Sequence, residues 1–212
     1  MKRWKLGIIG LGGISHLAHL EAFSRLKNRC DITAGCDIDP RKYEIARQKC
    51  GLNTYYTHHL DMLEKEDLDA VLVATPNGTH KTISADALKR GVNVFCEKPV
   101  CSDASEAEAL KREVDASSAT LMIGQSMRFR SQTTPIQELI NSGILGEIYY
   151  CKASYLRQRG VPGYGTWFTD KSRASGGVVL DLGVHMLDYI WFLLGKPDIQ
   201  SVSATTYNGI SK

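Results

Sequence analysis

The chain has 212 residues, of which 43% are hydrophobic and 23% charged, and its formal net charge is +3. This composition is typical of a globular protein, and so small a net charge gives no reason to expect nucleic acid or a membrane surface as a partner. No apolar run reaches the ~18 uninterrupted residues of a membrane helix. His16 and His19 interrupt the apolar run near the start, which argues against a secretory signal. The six scattered cysteines form no C-x-x-C pair, which favours free thiols and a cytoplasmic protein.

Strand-like and helix-like segments alternate over the first 123 residues. The predicted strands are 5–10, 31–37, 55–56, 70–75, 92–96 and 119–123. The predicted helices are 13–26, 40–50, 60–65, 79–90 and a helix capped by Ser102 that runs to about Ala116. Strands separated by helices imply right-handed crossovers and a parallel sheet, and the near-continuous apolar strands fit a sheet that is covered on both faces. We therefore predict the α/β fold class, with a doubly wound parallel sheet in this first domain.

The pattern changes after Gly124, which predicts a second domain over 124–212. We expect a short helix at 135–141, long strands at 147–156 and 199–207, and an apolar helix over 176–195 that is buried between the domains. Long strands beside two helices indicate an α+β unit. The chain stops one strand past the apolar helix, where a sheet would be left with an open edge, so we expect this second unit to be incomplete.

The loop after the first strand has the spacing of a dinucleotide-binding turn, Gly10-Leu11-Gly12-Gly13-Ile14-Ser15. Gly10 permits a tight turn, Gly12 lets the backbone approach a pyrophosphate at the helix N-terminus, and Ser15 is small enough for close helix–strand packing. The motif alone is weak, and an ordinary glycine-rich turn is the alternative.

The second strand ends in Asp37, whose carboxylate can accept hydrogen bonds from a ribose 2′-OH. A carboxylate there repels a 2′-phosphate, which favours NAD over NADP, although Arg41 leaves room for NADP. Ile38 lies beside Asp37 in the same predicted cofactor site. The alternative is that Asp37 only starts the turn that follows.

Further candidate residues follow the later strands. In an open parallel sheet, ligands bind at the carboxyl ends of the strands, so these residues are expected on the cofactor side. They are Thr75, Pro76, Asn77 and His80 at and after the end of the fourth strand, Glu97 and Lys98 after the fifth, and Gln125 after the sixth. The alternatives are a solvated surface charge for Lys98 and a solvated interdomain linker for Gln125.

Five segments, GLGGISHLAH, CDIDP, ATPNGTH, CEKP and GGVVLDLGVHMLD, resemble the Gfo/Idh/MocA oxidoreductases, the group of glucose–fructose oxidoreductase and inositol dehydrogenase. The resemblance covers essentially the whole chain. It implies an NAD(P)-binding Rossmann domain followed by an open, mostly antiparallel sheet domain, with sugar, cyclitol or related polyol substrates. The family's catalytic residues fall on Lys98, Asp181 and His185.

The chain departs from the family pattern in three places. Ser175 stands at the start of what is a glycine triplet in the family, and the loop 157–168 looks like a subgroup's own substrate loop. Family members also continue well beyond the strand predicted at 199–207.

Oxidising a secondary alcohol needs a hydride acceptor and a base for the hydroxyl proton. His185 suits the base, because its ordinary pKa lies near neutral pH. Asp181, one helical turn earlier, can orient that imidazole or contact a substrate hydroxyl. Lys98 can hold the substrate oxygen, and Arg157 and Trp167 can line a sugar pocket. Asp188 is expected to be structural.

Several alternatives stay open. Asp181 and His185 can hold zinc if His80 or Cys96 supplies a third ligand, although no metal is our prediction. The chain can also be a related enzyme that uses transient oxidation for elimination, as NAD-dependent glycosidases do, or a truncated chain that binds the dinucleotide without turnover. We expect a small-molecule sugar or polyol partner and a homo-oligomer through the second-domain sheet.

Overall fold

The computed structural model describes residues 2–158, 163–170 and 173–207. The chain divides into two compact units. The first comprises Met1–Gln125 and Leu156–Val184, and the second comprises Ser126–Tyr155 and His185–Lys212. Among the described residues, no helix is long and apolar enough to cross a membrane.

The first unit is built on a six-stranded parallel sheet in the order β3-β2-β1-β4-β5-β6. The strands are β1 (Trp4–Ile9), β2 (Cys30–Cys36), β3 (Thr54–Tyr56), β4 (Ala70–Val73), β5 (Asn93–Cys96) and β6 (Leu121–Ile123). Its α-helices are α1 (Leu20–Ser24), α2 (Arg41–Cys50), α3 (His59–Lys65), α4 (His80–Leu88) and α5 (Ala104–Ala116). The predicted doubly wound parallel sheet is therefore confirmed.

The central strands form the core of this unit. Ile8 on β1 and Val71, Leu72 and Val73 on β4 are fully buried, as expected where helices cover both faces of a parallel sheet. The strand order reverses between β1 and β4, and the crevice outside the carboxyl ends of strands at such a point is where ligands bind in this architecture.

Two π-helical turns occur where the sequence predicted regular helix. In the first π turn, Ser15–His19, the N–H of Leu20 donates to the carbonyl of Ser15, five residues earlier. In the second π turn, Val179–Gly183, the N–H of Val184 donates likewise to Val179. Such turns hold one extra residue and are frequent at functional sites.

The start of α5 differs by one residue from the prediction that Ser102 caps it. The cap is Asp103, whose Oδ1 accepts the N–H of Glu106 at 2.9 Å. Glu106 in turn accepts the N–H of Ser102 at 2.9 Å. The spacing of Asp103 and Glu106 is that of a capping box, a signal that outweighs the serine beside it.

The second unit contains α6 (Thr133–Asn141), most of α7 (Val184–Leu193) and a 3₁₀ turn at Ser126–Phe129. The strands predicted at 147–156 and 199–207 are irregular and exposed over their described residues. A strand satisfies its backbone groups only against a neighbouring strand, and no strand is present in the described part of this unit. The homo-oligomer expected through a second-domain sheet stays a prediction.

The apolar helix expected to be buried is not buried in the structure. Val178 and Leu187 are 66% and 64% exposed, and α7 holds no buried residue. A helix that is apolar on all sides needs cover on all sides, and the described residues leave Leu187 and Trp191 of α7 exposed.

Candidate functional site

The glycine loop after β1 is held close to the ends of the neighbouring strands. The N–H of Gly10 donates to the carbonyl of Cys36 at 2.8 Å, and the Ser15 hydroxyl donates to the carbonyl of Gly10 at 2.5 Å. Gly10 has a φ of +96°, and a Cβ there would lie 2.5 Å from the carbonyl oxygen of Ala74. Only glycine fits both that conformation and that approach.

The next two glycines face open space. A Cβ on Gly12 or Gly13 would meet no atom within 4 Å, and Ile14 beside them is 45% exposed. The protein's own packing therefore does not require glycine at these positions. The backbone at the start of this helical segment is therefore accessible on one side, and accessible backbone N–H groups at such a position suit a pyrophosphate.

Asp37 lies at the end of β2 and turns its carboxylate towards this loop. The residue is 8% exposed. Its Oδ2 accepts the N–H of Leu11 at 2.8 Å, and its Oδ1 accepts the N–H of Asp39 at 2.9 Å. The Lys42 ammonium lies 3.1 Å from both carboxylate oxygens. The structure thus brings Asp37 to the glycine loop and gives the buried carboxylate a counter-charge.

The residues after Asp37 are open to solvent. Ile38 is 88% exposed. Arg41 is exposed too, and its guanidinium donates hydrogen bonds to both carboxylate oxygens of Asp39, at 2.8 and 2.9 Å. These hydrogen bonds lower the pKa of Asp39 to about 2. Arg41 is therefore engaged by a carboxylate of its own turn.

A cavity of about 230 Å³ lies at the carboxyl ends of the strands in the first unit. Its lining residues are Ile14, Thr75, Asn77, His80, Glu97, Lys98, Trp167, Phe168 and Asp181. Eight of these nine were named as candidates from the sequence, and the ninth, Phe168, was named only as part of the predicted substrate loop 157–168.

Lys98 and Asp181 meet in this cavity although 83 residues separate them. The Lys98 ammonium donates to the Oδ1 and to the backbone carbonyl of Asp181, both at 3.0 Å. The two side chains are 17% and 19% exposed, so the pair is largely desolvated, and removing either partner would leave a poorly solvated charge unpaired. Asp181 lies in the second π turn, and its backbone carbonyl oxygen and its Oδ1 contact the same ammonium.

Glu97 contacts the first π turn and Lys98. His19 Nε2 lies 2.8 Å from Glu97 Oε1, and the N–H of Lys98 donates to Glu97 Oε2 at 3.2 Å. Burial acts to raise the pKa of Glu97, but these contacts with His19 and Lys98 together lower it. His19 was not among the residues predicted for the site, because no pattern in the sequence signals a partner 78 residues away.

His80 is buried, with 1% of its surface exposed. Its Nδ1 lies 2.8 Å from the carbonyl oxygen of Pro99, and its Nε2 lies 2.8 Å from the carbonyl oxygen of Thr75. Both polar atoms of the ring are thus engaged by the backbone. Thr75 also accepts a hydrogen bond from the Thr79 hydroxyl at 2.7 Å, while Asn77 donates to the carbonyl of Ala174 at 3.5 Å.

Two aromatic side chains line the cavity together. The rings of Trp167 and Phe168 lie 4.8 Å apart at 53°, on the 3₁₀ turn Trp167–Thr169 that Thr166 caps. Phe168 was not singled out from the sequence, although its position beside Trp167 was a usable signal. Arg157 is exposed on an irregular segment, and part of the predicted substrate loop (159–162) lies outside the described residues.

Gln125 ends the contiguous part of the first unit, just after β6. Its N–H donates to the carbonyl of Ile123 at 2.7 Å. Its side-chain Oε1 is buried and meets no hydrogen-bond donor in the described parts of the chain. A buried acceptor without a donor is costly, so a ligand N–H is a fitting partner for it.

His185 and Asp188 lie on α7 in the second unit. His185 occupies the first turn of this helix and is half-buried. Asp188 accepts hydrogen bonds from both arms of Arg128, with Nε at 2.8 Å from Oδ2 and Nη2 on Oδ1. Arg128 also lies over the ring of Phe192 at 4.9 Å. The largely buried Asp188 carboxylate is therefore paired with the Arg128 guanidinium, which agrees with the structural role expected for it.

The donors needed for a zinc site are committed elsewhere. Asp181 is paired with Lys98, and both nitrogens of His80 are bound to carbonyls. Burial raises the pKa of the Cys96 thiol to about 12, whereas zinc binds the thiolate. No cluster of three potential ligands occurs within residues 2–158, 163–170 and 173–207.

Residues 4–125 match the family profile described as an oxidoreductase family with an NAD-binding Rossmann fold, and residues 134–212 match that of the GFO/IDH/MocA C-terminal domain. D-glucoside 3-dehydrogenase from Escherichia coli is 32% identical over 206 residues, which are 97% of this chain and 58% of that protein.

Two further comparisons extend this result. The 2,7-anhydro-N-acetylneuraminate hydratase of Mediterraneibacter gnavus is 35% identical over 161 residues, 74% of this chain and 41% of that protein. The solved structure of an NAD-binding protein from Listeria innocua gives a TM-score of 0.79 at 32% identity, over 91% of this chain and 55% of that one. The chain spans about half the length of the relatives it matches.

Proposed function

Because the chain belongs to the GFO/IDH/MocA oxidoreductase family, we propose that it transfers a hydride between NAD and a hydroxyl-bearing carbon of a sugar, cyclitol or related polyol. The observation that carries this proposal is the Lys98–Asp181 pair, set in a cavity at the carboxyl ends of the strands, where this architecture binds its ligands.

The residues of the first unit fit NAD. The bare backbone of Gly12 and Gly13 would hold the pyrophosphate, Asp37 the adenosine ribose, and the buried Oε1 of Gln125 a ligand N–H. Ile14, Thr75, Pro76, Asn77 and Glu97 are the remaining proposed contacts, with Ile38 and Arg41 at the exposed ribose end. NAD, when bound, supplies the hydride acceptor. The Asp37 carboxylate favours NAD over NADP.

Lys98 is proposed to hold the reacting oxygen of the substrate. Its ammonium has three N–H donors, and Asp181 takes two of them. The third is left for a substrate hydroxyl, whose developing negative charge the ammonium stabilises. Asp181 holds the Lys98 ammonium in place.

His185 is proposed as the base that takes the hydroxyl proton. Imidazole is the side chain whose ordinary pKa best suits proton transfer near neutral pH. The resemblance assigns it this role, and Asp188 is bound to Arg128 and so leaves the role to His185.

The aromatic pair supports a cyclic polyhydroxylated substrate. Trp167 and Phe168 offer apolar faces for the C–H groups of a sugar ring, next to the charged Lys98 and Asp181 that suit its hydroxyls. Arg157 is proposed as a further hydroxyl contact. The E. coli relative's name, D-glucoside 3-dehydrogenase, agrees with a ring substrate of this class.

The test is turnover on a panel of glucosides, hexoses and cyclitols with NAD⁺, followed by the absorbance of reduced nicotinamide. Lys98→Met should lower kcat by about 10²-fold or more, as expected for the loss of a charge that stabilises the transition state. The matched control is Lys27→Met, at an exposed position. Full turnover in Lys98→Met would overturn the proposal, as would NADH binding with no turnover on any substrate.

An elimination or hydration reaction through transient oxidation is the second candidate. The observation in its favour is the hydratase among the relatives, at 35% identity. Such an enzyme returns its cofactor to the starting state, so product would form at catalytic NAD⁺ with no net gain of NADH. Measuring product by chromatography alongside absorbance separates the two reactions.

A further inference from the structure

His80 makes two contacts that a neutral imidazole cannot satisfy together. Its two ring nitrogens each lie 2.8 Å from a carbonyl oxygen, one of Thr75 and one of Pro99. Carbonyl oxygens only accept hydrogen bonds, and the neutral ring has one N–H and one acceptor nitrogen. An acceptor nitrogen at 2.8 Å from a carbonyl oxygen is repulsive, so both contacts are favourable only when both nitrogens carry a proton.

The surroundings can hold such a cation. The charged side chains that line the cavity with His80 are Glu97, Lys98 and Asp181, which together carry one net negative charge. The N-terminal dipole of α4, the neighbouring Lys81 and the burial of the ring, which is 1% exposed, oppose a cation. The two carbonyl dipoles act in the other direction, and they do so in direct contact with the ring at 2.8 Å.

The two carbonyls that His80 joins lie where the sheet stops pairing. The last paired residues of β4 and β5 are Val73 and Cys96, and the N–H of Glu97 still donates to the carbonyl of Val73 at 2.9 Å. Beyond that point the two strand ends have no ladder to hold them together. Thr75 and Pro99 lie in these two ends, and Lys98 directly precedes Pro99.

We propose that His80 is a positioning residue whose doubly protonated ring ties the end of β4 to the segment that carries Lys98. This role fixes the Lys98 backbone against the Thr75–Asn77 wall of the cavity. Its consequence for turnover rests on the proposed function, whereas the double hydrogen bond itself does not. His80 had been expected to bind the cofactor, but its nitrogens are occupied by the backbone.

The first experiment needs no substrate. In the full chain labelled with ¹⁵N-histidine, NMR at neutral pH should show two N–H protons on the His80 ring, with both nitrogens at imidazolium shifts. The signal is assigned by its loss in His80→Gln, or by elimination with variants of the other five histidines if that variant does not fold. A single ring N–H would overturn the proposal.

The second experiment is a rescue. His80→Ala should lower kcat by about 10²-fold, the size expected for a displaced catalytic group, with a smaller change in KM for NAD⁺. Added imidazole, which can donate from both nitrogens, should restore kcat at least in part, whereas 1-methylimidazole, which has one N–H at most, should not. Rescue by both compounds, or no loss in His80→Ala, would overturn the proposal.

A matched histidine serves as the control. His59 also stands at the start of a helix and is part-buried, but it pairs with Asp86 and lies outside the cavity lining, so His59→Ala should keep its turnover. If the wild-type chain turns over no substrate, the proposed function fails and the NMR measurement still decides the role of His80.

Discussion

Gly10 and Gly12 are predicted to fail in opposite ways when replaced by alanine. At Gly10 the φ of +96° costs a side chain about 1–2 kcal/mol, and the Cβ would meet the carbonyl oxygen of Ala74 at 2.5 Å. We therefore expect Gly10→Ala to lower the free energy of unfolding by at least about 2 kcal/mol, a fall in Tm of about 4–8 °C for a chain of this size. At Gly12 nothing lies within 4 Å, so Gly12→Ala should change stability by no more than about 0.5 kcal/mol.

The second readout is cofactor affinity. A methyl group on Gly12 would occupy the space proposed for the pyrophosphate and cost a hydrogen bond to a charged group, about 1.5–3 kcal/mol. NADH should then bind about 10- to 100-fold more weakly. Stability is measured by circular dichroism during urea unfolding without cofactor, and affinity by titration of NADH fluorescence.

Gly51 supplies the control that separates backbone strain from steric overlap. It ends α2 at a φ of +72°, and a Cβ there would meet nothing within 4 Å. Gly51→Ala should therefore show the strain alone, about 1 kcal/mol. The reasoning is refuted if Gly12→Ala destabilises the apo chain as much as Gly10→Ala, or if Gly12→Ala binds NADH as tightly as the wild type.

Three further predictions concern stability. Because the pKa of Glu97 is lowered in the folded chain, ionised Glu97 adds to the free energy of unfolding above the ordinary pKa of glutamate, and this contribution is lost as the pH falls through the lower pKa of the folded chain. The urea midpoint of Glu97→Gln should therefore fall less steeply in acid than that of the wild type. An unchanged pH profile would contradict this prediction. Arg128→Leu leaves the Asp188 carboxylate without its cation and should lower the free energy of unfolding by about 2–3 kcal/mol. The double variant Arg128→Leu/Asp188→Leu, which removes both charges, should recover most of that loss. Asp103→Ala removes the cap of α5 and should cost about 1 kcal/mol by the same urea assay, against less than half of that for Ser102→Ala.

The parallel sheet was predictable because its signals are local. Each strand is a short apolar run, such as Ala70–Val73, bounded by polar residues or glycine. The alternation with helices leaves few topologies to choose from. Boundaries moved by one or two residues, since hydrogen bonding rather than hydrophobicity decides where a strand ends.

The second unit shows where this logic stops. The segment 147–156 has strand-like composition, yet its described backbone is irregular, because strand formation depends on a partner that composition does not reveal. The helix over Val184–Leu193 reads as core for a similar reason. The hydrophobicity of a segment indicates that its surface should be buried, but it does not indicate which residues bury it.

The site was predictable in part. Lys98 and Asp181 lie in recognisable motifs, and the rule on strand ends is enough to predict that Lys98 lies at the ligand-binding edge of the sheet. The contact of His19 with Glu97 depends on the first π turn, which hydrophobic periodicity does not distinguish from α-helix over five residues. The two carbonyls bound by His80 carry no sequence signal, because any residue type has a carbonyl group.

The first π turn also separates the two ends of one helical segment. Upstream, Ser15 is fixed against the glycine loop; downstream, Leu20 is buried in the core. In a regular helix, adding or removing one residue would rotate one end by about 100° relative to the other. The wide turn at Ser15–His19 takes up one residue without that rotation. The loss of one residue here would convert the wide turn to α-helical hydrogen bonding, and the glycine loop and the core face of α1 would keep their relative orientation.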